Sequence, residues 1–71
     1  EAFRKEALEM LEAHFEDMLD EREKYILMNH YGLRGHSPKT MADIGKEISL
    51  SRERVRQIEV AALLRLRTLF D

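Results

Sequence analysis

Apolar residues recur three or four positions apart through much of the chain, which is the spacing of one face of an α-helix. In the first part, this stripe consists of Phe3, Ala7, Met10, Leu11, Phe15 and Met18, with Leu8 beside it. Towards the other end, a second stripe consists of Val55, Ile58, Ala62, Leu66 and Leu69. We expect four helices, at about residues 2–18, 21–31, 41–48 and 52–69. The pattern therefore predicts a small all-α domain.

The boundaries of the last three helices rest on residues that satisfy the unpaired backbone groups at helix ends. Asp20 is a predicted N-cap with Glu23 as its capping-box partner, and Gly32 is placed to end that helix in the left-handed conformation. Thr40 and Ser51 are the predicted N-caps of the next two helices, since a side-chain hydroxyl can accept a hydrogen bond from a first-turn amide.

The last two helices are joined by a very short link, Ser49-Leu50-Ser51. A short capped helix, a tight turn with an apolar residue and a second capped helix are typical of a helix-turn-helix, here at about residues 40–69. Gly45 lies within the first of these helices at a cost of about 1 kcal/mol relative to alanine, so we expect close packing there. Leu50 and Val55 can form a hydrophobic staple at the start of the second.

The second helix of this motif has a polar face opposite its apolar stripe. Glu53, Arg56 and Gln57 share that face, and Arg52 lies at the helix tip. Arginine can bridge two acceptors of guanine, glutamate accepts from the cytosine amine and glutamine pairs with adenine. We therefore expect these four side chains to read bases, whereas Arg54 points sideways, as suits a phosphate contact. A solvated charged face on a core helix is the more common meaning of such a run, but the preceding helix favours DNA.

These residues also resemble a known family. Asp43-Ile44-Gly45, followed by the run Arg52-Glu53-Arg54-Val55-Arg56-Gln57-Ile58-Glu59, looks like region 4 of bacterial sigma factors of the sigma-70 family, in the housekeeping or housekeeping-like group. Leu19-Asp20-Glu21-Arg22-Glu23 and Tyr31-Gly32-Leu33 resemble an earlier helix of the same domain. The resemblance thus covers the chain from about Leu19 to Leu69.

The resemblance implies a fold related to winged-helix domains but without a wing. It implies that the domain recognises the minus-thirty-five element of double-stranded promoter DNA and binds the flap of the RNA polymerase β subunit in transcription initiation. It assigns the bases to the residues already named, Arg52, Glu53, Arg56 and Gln57, with Arg54 near the backbone. Lys39 and Thr40, where the loop meets the first helix of the motif, are further candidates for backbone contacts.

The distal part of the last helix departs from the family. Val60 and Leu64 continue the base-reading face, yet both are apolar. Many family members carry Lys or Arg at the positions of Ala61 and Leu64, where transcription activators can dock. Our hypothesis is that Val60, Leu64 and Phe70 form an apolar surface for another protein, such as an anti-sigma factor or an activator. The alternative is packing within the domain, or scattered exposed apolar residues, which are normal.

The net charge of −2 is unevenly distributed along the chain, so it does not argue against DNA binding. Residues 1–23 carry nine acidic and three basic residues, whereas residues 24–71 carry nine basic and five acidic residues. DNA binding depends on local Lys and Arg, so the second part suits it. The modest local excess predicts weak DNA binding by the domain alone.

Composition argues against several other classes. The 71 residues suffice for one small domain, and the absence of cysteine excludes disulfides and thiolate metal sites. The three histidines lack metal-ligand spacing, and no nucleophile–base pattern stands out. No run of about 20 apolar residues and no signal peptide are present.

We therefore expect a cytoplasmic domain that spans residues 1–71 and is not an enzyme, with no cofactor, metal or membrane partner. Because it begins with Glu, we expect a fragment of a longer protein.

Two other functions fit the same pattern less well. One is a LuxR-type output domain of a transcription regulator, which also uses a four-helix helix-turn-helix but usually lacks the Arg-Glu-Arg-Val-Arg-Gln string. The other is a pure protein-interaction helical module. Duplex DNA titrations distinguish a DNA-binding domain from such a module.

Overall fold

The computed structural model describes residues 4–70, except for the side chain of Phe70. Its α-helices are α1 (Lys5–Met10), α2 (Phe15–Met18), α3 (Glu21–Tyr31), α4 (Met41–Ile48) and α5 (Arg52–Arg67). Two 3₁₀ turns lie at Glu12–His14 and Thr68–Phe70. No strand occurs among the described residues. The predicted all-α fold is therefore confirmed.

The helix boundaries follow the predicted caps. Asp20 accepts a hydrogen bond of 2.8 Å from the Glu23 amide, and Glu23 accepts one of 2.9 Å from the Asp20 amide, which completes the capping box. Gly32 ends α3 in the left-handed conformation, with φ of 67°. The hydroxyls of Thr40 and Ser51 each accept a 3.1 Å hydrogen bond from the amide three residues further on. Local side-chain chemistry thus defines where α3, α4 and α5 begin.

The single helix predicted over residues 2–18 is wrong. α1 ends at Met10, its C-cap Leu11 has φ of −96° and ψ of 0°, and a 3₁₀ turn leads into α2. This tighter turn changes the phase of the residues that follow it. Phe15, which follows the turn, is buried, whereas Met10, a member of the predicted stripe, is 78% exposed and its neighbour Leu8 is buried. Phe3, the first residue of the predicted stripe, lies outside the described residues.

The buried apolar side chains form two clusters, and α3 and α5 contribute to both. The N-terminal cluster consists of Leu8, Leu11, Phe15, Leu19, Leu27, Leu33, Ala62, Leu63 and Leu66. The helix-turn-helix cluster consists of Ile26, Ile44, Val55 and Ile58. The predicted stripe of α5 is confirmed except at Leu69, which is exposed because α5 ends at Arg67 and a 3₁₀ turn follows.

Ion pairs attach the acidic N-terminal segment to the rest of the domain. The guanidinium of Arg65 donates to both carboxylate oxygens of Glu23, and it also donates to the backbone oxygen of Met18 at 3.0 Å. Lys24 donates to Glu16 at 2.9 Å. The capping box of α3 is therefore bound directly to the distal half of α5.

None of the helices in residues 4–70 has both the length and the apolar character that a membrane crossing requires.

Candidate nucleic-acid interface

The turn between α4 and α5 brings the two helices into the arrangement of a helix-turn-helix. The Leu50 amide donates a 2.9 Å hydrogen bond to the Gly45 carbonyl, and Ser49 adopts the left-handed conformation with φ of 61°. A Cβ atom added to Gly45 would lie 2.4 Å from the Leu50 carbonyl oxygen. Gly45 is therefore closely packed, as predicted, but the expected close approach of the two helices is instead an approach of the turn backbone to α4. Leu50 packs on the cluster that contains Val55, in agreement with the predicted staple.

α5 presents its polar face to solvent. Val55 and Ile58 are buried against α3 and α4. The predicted base-reading side chains are all exposed, namely Arg52, Glu53, Arg56 and Gln57. Since residues one helical turn apart share a face, these side chains form a continuous polar surface over the first two turns of α5. That is the part of a recognition helix that contacts base edges in the major groove.

Glu53 and Arg56 form a bidentate pair on this surface. Arg56 donates from Nε and Nη2 to the two carboxylate oxygens of Glu53, at 3.0 and 2.6 Å. The hydrogen bond from Arg56 is the main reason that the pKa of Glu53 is lowered, and the same bond raises the pKa of Arg56. Both side chains are well exposed, so the pair is weak. The pair places the Glu53 carboxylate, an acceptor, beside the Arg56 guanidinium, a donor. Because the pair is weak, both side chains can give it up for contacts with bases.

The proposed backbone-contacting residues lie at the edges of this surface. Arg54 is exposed, and its Nη1 lies 3.4 Å from the amide oxygen of Gln57, to which it donates. Thr40 is exposed and caps α4 with its hydroxyl. Lys39, by contrast, donates to Glu47 at 2.7 Å. A phosphate contact by Lys39 would therefore have to replace this internal partner.

Glu47 is a residue that sequence reasoning did not single out. Besides Lys39, the Tyr25 hydroxyl donates to it at 2.6 Å, so the three side chains connect α3, the loop and α4. No short-range spacing relates them, because Lys39 and Tyr25 are eight and 22 positions away from Glu47. The pKa of Glu47 is lowered, first by the hydrogen bond from Lys39 and then by that from Tyr25.

Replacing Lys39 with methionine should raise the pKa of the Glu47 carboxyl towards its ordinary value, because it removes the largest cause of the shift. A carboxyl whose pKa is lower in the folded state stabilises the fold above its unfolded-state pKa. That contribution is lost as the pH falls through the folded-state value. Carboxyl-carbon NMR titration measures the pKa directly. Lys46→Met, which removes a charge from α4, the helix that contains Glu47, is the matched control. An equal shift in both variants, or none in either, would contradict this assignment.

The predicted apolar surface lies on the next part of α5. Val60 is 42% exposed and Leu64 is 58% exposed, so neither side chain is packed inside the domain. Phe70, the third residue of this set, has its side chain outside the described part. Whether another protein binds here stays a prediction.

Glu59, which follows the base-reading residues in sequence, is buried instead of exposed. It lies opposite His30 of α3, with 3.6 Å between Oε2 of Glu59 and Nε2 of His30. The sequence gives one signal for the burial of Glu59. This residue follows Ile58 directly, so it borders the buried stripe of α5. Within residues 4–70 no cluster of His, Cys, Asp or Glu side chains is arranged to hold a metal ion.

A capped, tightly turned helix pair with an exposed row of Arg, Glu and Gln defines a helix-turn-helix domain of the DNA-binding class. Comparison with known proteins gives the family. The family described as Sigma-70, region 4 matches residues 17–68, and the chain belongs to this family. It is a region 4 domain of a sigma factor, a DNA-binding module of transcription initiation, and region 4 is not a family of enzymes.

The chain is similar to several sigma factors. RNA polymerase sigma factor RpoD of Helicobacter pylori (strain ATCC 700392 / 26695) is 47% identical over 53 residues, which cover 73% of this chain and 8% of RpoD. RNA polymerase sigma factor SigA of Bacillus sp is 42% identical over 64 residues, which cover 86% of this chain and 17% of SigA. The chain therefore spans less than a fifth of the length of these relatives. No solved structure matches it.

Proposed function

We propose that this domain recognises the minus-thirty-five element of bacterial promoters by inserting the N-terminal half of α5 into the major groove. The observation that carries the proposal is the exposed row of Arg52, Glu53, Arg56 and Gln57. Each of these side-chain types can form a base-specific contact in the major groove. Because α5 is held by the buried residues on its other side, the row is presented on a rigid element.

The proposed DNA partner agrees with the charge of the domain. The acidic excess lies in residues 1–23, and the basic excess lies in residues 24–71, which contain the helix-turn-helix. Phosphate contacts by Arg54 and Thr40 would fix the register of α5 without specifying sequence. Because the basic excess is small, the domain alone binds DNA weakly, and a larger assembly must supply the remaining affinity.

That assembly, we infer, is RNA polymerase, which the domain contacts through the flap of the β subunit. Family membership supports this proposal, since the similar proteins are named RNA polymerase sigma factors. Met10 is 78% exposed beside the buried N-terminal cluster and offers an apolar side chain for a protein contact. The domain would then act in the cytoplasm, where promoter DNA and polymerase meet.

Titration with labelled duplexes tests this function. We expect the 71-residue chain to bind a duplex with the minus-thirty-five hexamer more tightly than a scrambled duplex, with affinity falling as salt rises. Adding the isolated flap segment should leave this preference intact. Binding that is absent or independent of salt, together with tight binding to the flap, would contradict DNA recognition and favour a pure protein-interaction module.

A further inference from the structure

A cavity of about 300 Å³ lies between the end of α3 and the distal half of α5. Its apolar lining includes Met41, Leu63, Val60 and Leu64. Leu63 is buried, whereas Val60 and Leu64 are exposed. Val60 and Leu64, two of the three residues of the apolar surface predicted from the sequence, therefore form one wall of a concave site. A cavity of this volume is at the lower limit for small-molecule pockets, which suits a single large side chain.

The polar part of the lining contains a buried acceptor without a donor. Glu59 is only 5% exposed, and no described residue donates a hydrogen bond to its Oε2 atom. Leaving a buried carboxylate oxygen without a hydrogen bond is costly, and the large majority of buried polar atoms have a partner. The side chain of Glu59 lines the cavity, so a group that packs there lies next to this carboxylate.

His30 does not relieve this deficit when its imidazole is neutral. Its Nδ1 atom lies 3.1 Å from the Lys39 carbonyl oxygen. A carbonyl oxygen can only accept, so Nδ1 carries the proton and donates. The other nitrogen, Nε2, is then an acceptor, and it faces Oε2 of Glu59 at 3.6 Å, beyond hydrogen-bond distance. Because 3.6 Å is beyond hydrogen-bond distance, His30 leaves Oε2 of Glu59 without a hydrogen bond at the polar end of the cavity.

The charges of the lining indicate which kind of donor fits. The lining contains one carboxylate, on Glu59, and one guanidinium, on Arg67, so its formal charges sum to zero. A cationic side chain would gain little net attraction and would lose its hydration. A side chain with an apolar ring and a neutral donor at its edge can pack on the apolar lining and also donate to the carboxylate. Tryptophan and tyrosine have this combination.

We propose that this cavity binds a tryptophan or tyrosine side chain of a partner protein, whose N–H or O–H donates to the carboxylate of Glu59. The ring would pack on Val60 and Leu64. Aromatic anchors of this kind dominate the binding energy of many protein interfaces. Leu64 lies about 10 Å beyond Gln57 along the helix at 1.5 Å per residue, so the partner binds beside the DNA. The proposal does not depend on which DNA sequence the domain reads.

Small probes test the site on the 71-residue chain. N-acetyltryptophanamide should shift the backbone amide NMR signals of Glu59, Val60 and Leu64 in a saturable way. Methylation of its indole nitrogen removes the donor but keeps the ring, and we expect it to weaken binding about tenfold. Propylguanidinium, the cationic probe, should bind more weakly than the indole.

Two variants separate this cavity from general surface binding. Leu64→Arg places a charge on the apolar wall and should abolish the saturable shifts. Ala61→Arg adds the same charge one turn away at an exposed position that does not line this cavity, and it should leave them unchanged. Both positions are exposed, so the fold is retained, and circular dichroism verifies this.

Three results would overturn the proposal. Equal affinity for the indole and its N-methyl derivative would show that Glu59 receives no donor. Tighter binding of propylguanidinium would identify a basic side chain as the occupant. Loss of the shifts in both arginine variants would show that the probe senses overall charge and not this cavity. A duplex titration of the Leu64→Arg variant distinguishes this proposal from promoter recognition. We expect the variant to lose the cavity site while its affinity for DNA does not fall.

Discussion

Replacing Arg56 with alanine should weaken binding to the minus-thirty-five hexamer by about tenfold to a hundredfold and relax the preference at one base pair. The guanidinium fork of Arg56 is exposed on α5 and already aligned by Glu53. Its loss would remove the proposed bidentate base contact and leave the Glu53 carboxylate without its neighbour. Fluorescence anisotropy with a panel of duplexes, each altered at one position of the hexamer, measures both effects.

Arg54→Ala is the matched control, because it removes the same charge from the same helix at a position suited to phosphate. We expect it to weaken binding to the hexamer and to scrambled DNA alike, and to reduce the slope of log affinity against log salt by about one. If Arg56→Ala instead lowered the affinity for every duplex equally, Arg56 would be a backbone contact and our assignment of the reading face would fail.

Replacing Gly45 with alanine should destabilise the domain by about 1–3 kcal/mol, the range for overpacking. The added Cβ would lie 2.4 Å from the Leu50 carbonyl oxygen, and this backbone atom can move away only if the turn opens. The better helix propensity of alanine offsets about 1 kcal/mol at most. A loss of this size lowers the melting temperature by roughly 4–8 °C per kcal/mol in a domain of this length. Thermal unfolding followed by circular dichroism measures it.

Ser49→Gly is the control in the same turn. Ser49 already has φ of 61°, so glycine relieves local strain while adding freedom to the unfolded chain, and the two effects nearly cancel. We expect little change in melting temperature. If Gly45→Ala were equally neutral, the turn would not require the close approach that the structure shows, and packing between α4 and α5 would have to be explained differently.

The local signals in the sequence were sufficient for the helix-turn-helix. Thr40 and Ser51 accept hydrogen bonds from amides three positions away, and Gly45 packs against the carbonyl group five positions further on. Interactions of such short range leave a clear pattern in the sequence. The break at Leu11 left none, because spacings of three and four residues suit both a continuous helix and two short ones joined by a 3₁₀ turn.

The residues that sequence reasoning missed depend on contacts between distant elements. Glu59 is buried because α3 passes over it and brings His30 within 3.6 Å. Glu47 gains its hydrogen bond from Tyr25 across 22 positions. In the sequence, each of these glutamates looks like one more charged residue on a helix surface. Only the packing of α3 against α4 and α5 shows that they are placed differently.

The internal ion pairs reduce the number of cations that the domain can offer to DNA. Among the basic residues after position 23, five already have carboxylate partners within the domain, namely Lys24, Arg34, Lys39, Arg56 and Arg65. Only side chains that neutralise phosphates displace condensed counterions from the duplex. The affinity of this domain for promoters should therefore fall less steeply with ionic strength than its count of lysines and arginines suggests.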